Sequence, residues 1–239
     1  MSNSLRNVVA AELGKLRTLP AAPITMVSTA LGTTGLAVVL AAQTPGTGLH
    51  AIRYGQIGFI LLGVLAAASE YSGGQIRTTL AGVPSRTLLM AGKTIAYSMF
   101  AALTAVVTVV ASAVAAQAVV GRHGVPVSDF FAAQHLGPLL GAAAYLVLIG
   151  LLAHAVAFLT RNLVAALVSV LTLVLVVSPL LMAMTPLAGY LPDQAGATLY
   201  LTDPVATDVL TSVQGAGVLG AWVALALVVA VVVFTRRDA

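Results

Sequence analysis

The chain has 239 residues, 59% of them hydrophobic and 8% charged, with 11 basic and 7 acidic residues, no cysteine and a mean hydropathy of +1.04. So few charges cannot cover a water-soluble fold, in which about a quarter of residues are charged, whereas six lipid-facing helices of about 20 residues would occupy about half the chain. The net charge of +4 comes from scattered Lys and Arg with no basic face, which argues against nucleic acid, and the missing cysteines exclude a disulfide framework, a thiolate metal site and a cysteine nucleophile.

In chain order, Leu5, Val8, Val9, Leu13, Leu16 and Leu19 recur mostly every three or four residues, with Arg6, Glu12, Lys15 and Arg17 between them. The spacing predicts an amphipathic helix within residues 1–20, lying on the membrane surface, packed on the rest of the protein, or both. Pro20 and Pro23 then turn the chain into a first span over residues 24–42. The second span, residues 54–69, is the weakest, because only 57–69 is cleanly apolar and Glu70 closes it. Residues 94–120, 136–159, 163–184 and 216–234 supply four more, the fifth kinked by Pro179.

The distribution of basic residues orients these spans. With six crossings and both termini in the cytoplasm, Arg6, Lys15, Arg17, Arg77, Arg86, Lys93, Arg161, Arg236 and Arg237 fall inside, and only Arg53 and Arg122 outside. In the last external segment, residues 185–215, Asp203-Pro204 opens a predicted surface helix that Gly215 ends. Tyr190 and Tyr200, with Phe130 and Phe131 in the other external loop, suit the headgroup layer.

Few residues carry chemistry. Ala91-Gly92-Lys93-Thr94 matches the end of a phosphate-binding loop, but the glycine required five residues before Gly92 is replaced by Thr87. Lys93 is expected to anchor the inner end of the third span. His123, Asp129 and His135 share an external loop without a ligand spacing. His154 and Gln117 lie near span ends, where a hydrogen bond between helices or contact with headgroups accounts for them, and Gly137 and Gly141 form a small-residue pair that allows close packing. No serine has nucleophile-elbow context and no carboxylate pair sits within a span, so no catalytic residue and no metal site is expected.

The informative segment runs from Glu70 to Lys93. Gly73-Gly74 breaks the second span, residues 75–81 form a short helix with Ile76 and Leu80 on one small apolar face, and Gly82 and Pro84 stop it. So short a helix must dock on something. A carboxylate at a helix C-terminus, as at Glu70, opposes the helix dipole and calls for a cation nearby.

This segment resembles the loop between spans two and three in permease subunits of type-2 ATP-binding-cassette (ABC) exporters. There a glutamate closes the second span, followed by an aromatic residue, a glycine, a Thr/Arg-rich turn, a Pro-x-Arg step and a Gly-Lys that opens the third span. The matching residues are Glu70, Tyr71, Gly74, Arg77 to Thr79, Pro84 to Arg86 and Gly92-Lys93; Val83 departs from the small or polar residue common before the proline. The resemblance implies an all-α, six-span permease forming a single transmembrane domain over 1–239, with a surface helix and a cytoplasmic coupling helix in loop 70–93. It implies export by alternating access, a second permease copy, identical or different, and a separate ATPase subunit that holds ATP and Mg, leaving no cofactor in this chain. Glu70, Tyr71, Gly73, Gly74, Arg77, Arg86 and Lys93 would transmit the ATPase motion, with Ile76 and Leu80 on the docking face. Substrate contacts would come from the first, second and fifth spans. An ATP-independent carrier or channel, and a membrane-bound immunity or interaction protein, are the alternatives.

Overall fold

The computed structural model describes residues 4–44, 46, 48–72, 74–121, 133–201 and 210–236, excepting the side chains of Ser72, Arg77 and residues 133–135. The regular structure among them is helical: α1 (Leu5–Thr18), α2 (Ala21–Gln43), α3 (Ile52–Ser72), α4 (Ile76–Gly82), α5 (Arg86–Val120), α6 (Ala133–Thr160), α7 (Leu163–Thr172), α8 (Ser178–Met182), α9 (Pro192–Ala197) and α10 (Ser212–Arg236). One-turn 3₁₀ segments cover Gly48–Ala51 and Pro186–Tyr190, and a π-helical turn, Leu173–Val177, joins α7 to α8.

Six of these units are long and apolar enough to cross a membrane: Ala21–Gln43, Gly48–Tyr71, Arg86–Val120, Leu136–Thr160, Leu163–Met182 and Ser212–Arg236. The chain is therefore an all-α multi-pass membrane protein, whose helices alternate between two ends of one bundle. The first, fifth and last spans expose large apolar side chains such as Leu31, Val164 and Leu225, a surface suited to lipid and not to water. α3 and α6 pack against each other more extensively than any other pair. This pairing explains the weak hydropathy of the second span, which is 67% buried over its most apolar window. A helix sheathed by protein can carry Gln56, Glu70 and several glycines that a lipid-facing helix cannot.

The α3–α6 crossing is set by Gly63 and Gly150. A Cβ on Gly63 would run into the Gly150 carbonyl oxygen, and one on Gly150 would meet the Tyr97 hydroxyl and, at 2.7 Å, the Phe59 carbonyl oxygen. His154 lies beside this crossing with no exposed surface, its Nδ1 3.1 Å from the Gly63 carbonyl and its ring stacked on Tyr97 at 5.1 Å. The interhelical hydrogen bond expected for His154 is thus present. Of the Gly137 and Gly141 pair, only Gly141 makes a close approach, to Leu199; nothing lies within 4 Å of a Cβ on Gly137.

Several boundaries differ from the sequence expectation. α10 begins at Ser212, so Gly215 lies inside it and does not end a surface helix; Asp203-Pro204, like Arg122, His123, Asp129, Phe130, Phe131 and Arg237, lies outside the described residues. The proline-induced break in the fifth span is present, but as a π turn just before Ser178-Pro179: proline lacks the N–H that would continue the ladder, and the preceding turn widens around the missing bond. Tyr190 is 46% exposed, whereas Tyr200, expected in the headgroup layer, is 2% exposed and belongs to the core.

Replacing Gly150 by Val should destabilise the purified protein by roughly 1–3 kcal/mol through overpacking, seen as a lower unfolding temperature in detergent. Gly217→Ala, where a Cβ meets nothing within 4 Å, should leave that temperature unchanged or raise it.

Candidate coupling site

The residues around the 70–93 segment gather at one end of the bundle. α3 runs to Ser72, Gly74 takes the left-handed conformation at φ 67° that favours glycine, and α4 follows from Ile76 to Gly82, close to the expected 75–81 helix. Gly73 lies outside the described residues. α5 opens with Ser85 as its cap, the hydroxyl accepting from the Leu88 amide at 3.3 Å.

Helix α1 lies against the start of α5 through Val8, Glu12 and Leu16, one face at spacing four. Val8 reaches into the space left by Gly92, where any Cβ would collide with it. The pseudo-phosphate-loop glycine is thus a helix-packing position inside α5. The expected amphipathic helix is present and packs on the protein.

Four charges close a ring across this contact. Lys15 Nζ is 2.8 Å from Glu12 Oε1 and 2.7 Å from Glu70 Oε1; Lys93 Nζ is 2.8 Å from Glu12 Oε2 and 2.9 Å from Glu70 Oε1. The Lys93, Glu12 and Glu70 side chains are 2%, 7% and 7% exposed, and Lys15 covers the ring at 39%. Lys93 is therefore not a lysine reaching for the membrane surface but an interior ion, kept there because two carboxylates replace its water. Glu70 receives the cations that its place at a helix C-terminus calls for. Burial by itself would lower the Lys15 ammonium, but the hydrogen bonds and charges of Glu12 and Glu70 outweigh it and raise Lys15 above 10.5.

Two further contacts fasten the same end. Arg86 Nη1 donates to the Phe234 carbonyl at 3.2 Å, placing a cation at the C-terminal end of α10, where it also complements the dipole. The Arg161 guanidinium, in a tight α6–α7 turn with φ 52°, lies 6.0 Å from the centre of the Tyr71 ring. Glu70, Tyr71, Arg86 and Lys93 thus come together, and Arg77 is described only in its backbone.

The docking face expected of α4 is already occupied. Ile76 is 7% exposed within the main core, and Leu80 packs on the same core, half-buried. The apolar side of α4 secures the helix to its own chain, and the side left open carries Thr78 and Ala81, beside exposed Gln75, Pro84 and Ser85.

Glu12 and Lys15 are ring members that the sequence reading assigned to a polar face. The signal was present: Glu12 falls midway between Val8 and Leu16, an acid inside an apolar stripe. Among the described residues no group of three or more His, Cys, Asp or Glu is placed to hold a metal. Comparison with protein-family models and with curated proteins finds no match for the chain.

Lys93→Met leaves Glu12 and Glu70 sharing one lysine and should cost about 3–5 kcal/mol. Adding Glu12→Met, which restores neutrality with the Lys15–Glu70 pair intact, should recover more than half of that loss; thermal unfolding of both variants reads the difference. Lys15 predicts a pH dependence of definite sign. A raised lysine stabilises the docked helix fully below the ordinary value of 10.5 and loses that effect as pH climbs past the raised value. The mobility of a nitroxide on Ala10→Cys should therefore stay low through neutral pH and increase only above 10.5.

Proposed function

We propose that the chain is the permease subunit of an ATP-driven exporter of the type-2 ABC kind, with its charged end in the cytoplasm of a cell whose plasma membrane it spans. The observation that carries this reading is the joining of α1, α3 and α5 by one buried charge ring immediately beside α4. A short helix with its apolar side secured and its polar side free is suited to taking up a push from a partner. The ring carries that displacement into two spans at once, because neither carboxylate can leave without stranding a charge. A separate ATPase subunit would supply the push, holding the ATP and Mg, while a second permease copy completes the pathway.

A groove of about 250 Å³ lies between the first two spans, bordered by Ser28, Thr29, Thr33 and Tyr54. Its mixture of hydroxyls and aromatic surface favours an amphiphilic cargo over a bare ion.

The test is co-purification of the chain with a candidate ATPase, followed by transport in proteoliposomes. Thr78→Trp and Ala81→Glu alter the free face of α4 without touching its anchored side, and each should reduce ATPase retention by at least about tenfold, or 1.4 kcal/mol. Since the chain has no native cysteine, Ser85→Cys should react only with reagent on the cytoplasmic side and Leu187→Cys only from outside. Transport without any ATPase would replace this reading by an ion-coupled carrier or a channel. ATPase binding that is indifferent to both α4 variants would remove the 70–93 segment from the interface.

A further inference from the structure

The end of the bundle opposite the charge ring holds a second buried polar cluster. After the π turn, residues 186–201 fold back into the bundle and α9 packs between α6 and α10. The fit is close: a Cβ on Gly196 would strike the Tyr145 ring, and one on Gly215 would strike Thr198 and the Ala195 carbonyl.

This folding back takes a carboxylate with it. Asp193 is 4% exposed, and its Oδ2 accepts from Gln194 Nε2 at 2.8 Å, which also donates to Ser178 Oγ at 3.0 Å beside the break in the fifth span. Among the described residues Asp193 Oδ1 has no hydrogen-bond partner, and neither has the Tyr200 hydroxyl, on a side chain 2% exposed. An ionised carboxylate in such a setting keeps an acceptor oxygen that neither water nor protein satisfies.

The groups facing Asp193 come from each neighbouring element. Arg53, at the exposed start of α3, acts on it by charge alone. Tyr145, on α6, donates its hydroxyl to Gln56, and its ring lies tilted against that of Tyr200 with centres 5.2 Å apart. α8 has no ionisable side chain, and the only one on α10 is Arg236, at its opposite end. Tyr190 is exposed, and Asp203 and Asp208 lie outside the described residues.

We infer that Asp193 is a proton-binding site that governs the seating of residues 186–201: it holds a proton while the segment is packed in the bundle and releases it to water when the segment lifts. The proton passes between solvent and Oδ1, and no other bond changes. Burial raises Asp193 above the ordinary 3.8, and the opposing pull of its polar neighbours Ser178 and Gln194 and of the Arg53 charge does not cancel it. The Tyr200 phenol, pushed further up by burial, stays neutral throughout. Because the seated form has the higher pKa, it binds more protons than the lifted form. Seating is therefore strongest below the ordinary 3.8 and weakens as pH rises from there through the raised value.

The experiment uses the full chain in proteoliposomes. Ala197→Cys places a thiol at a position 6% exposed within the seated segment, and Met184→Cys, at a position 75% exposed, corrects for thiol ionisation. The ratio of labelling rates, buried over exposed, should rise as pH climbs above the ordinary 3.8 and level off past the raised value, by at most about tenfold per unit for one linked proton. Asp193→Asn, neutral at every pH, should hold that ratio low and flat. Arg53→Gln removes a positive charge that favours the carboxylate and should move the wild-type profile to higher pH. A flat wild-type ratio, the same slope in Asp193→Asn, or a profile that Arg53→Gln leaves in place or moves downward would each overturn the inference. The wild-type profile and the exposed Arg53 variant keep the test decidable even if Asp193→Asn fails to fold.

Discussion

A lysine with 2% of its side chain exposed, at the start of a membrane-spanning helix, requires compensation, and the arrangement of the charged end follows from that requirement. Lys93 needs two carboxylates within hydrogen-bond reach, and they come from different elements: Glu12 on α1 and Glu70 at the end of α3. Two carboxylates and one lysine would leave a net negative charge out of water, and Lys15 removes it. Isolated buried ions cost several kcal/mol each even after relaxation, so the four groups stay together or separate together. Such a ring adds less to stability than an apolar contact of equal size would. It fixes where α1 lies, how the second span ends and where α5 begins, and α4 is held between the last two.

The two ends of the bundle handle buried polarity in opposite ways. Within the ring at the charged end each ion has a counter-ion, so the four groups hold one another in place. At the opposite end Asp193 is bordered by Gln194 and the Ser178 hydroxyl, and Arg53, whose charge acts on it, lies at the exposed surface. One end is built as a rigid joint, and the other holds a group whose charge depends on its burial. The π turn lies next to the second, where a widened backbone with a proline after it already weakens the helix ladder.

The same contrast separates the spans. α3 is sheathed by α2, α5, α6 and α7, and its glycines let neighbouring backbones approach. The first, fifth and last spans present branched apolar side chains outward and need fewer neighbours. Hydropathy measures affinity for lipid, so it reads these outer helices well and understates an inner helix whose surroundings are protein.

Much of the architecture was legible in the residues alone. Six helices, the amphipathic α1, the break at Pro179 and the short helix after Gly74 are local consequences of periodicity, proline chemistry and glycine, and each can be read from a window of neighbours. Glu70 was legible too, because a carboxylate at a helix C-terminus announces a missing cation. Which cation answers it was decided by tertiary structure: Lys93 and Lys15 lie 23 and 55 residues away, and nothing local distinguishes them from other basic residues. The fate of Ile76 and Leu80 was decided in the same way, since an apolar pair at spacing four fits a partner's groove and the chain's own core equally well. Tyr200 reads as a headgroup-layer residue because it lies in the last external segment. Only the packing of Gly196 on Tyr145 and of Gly215 on Thr198 shows that the loop returns into the bundle and takes the carboxylate out of water.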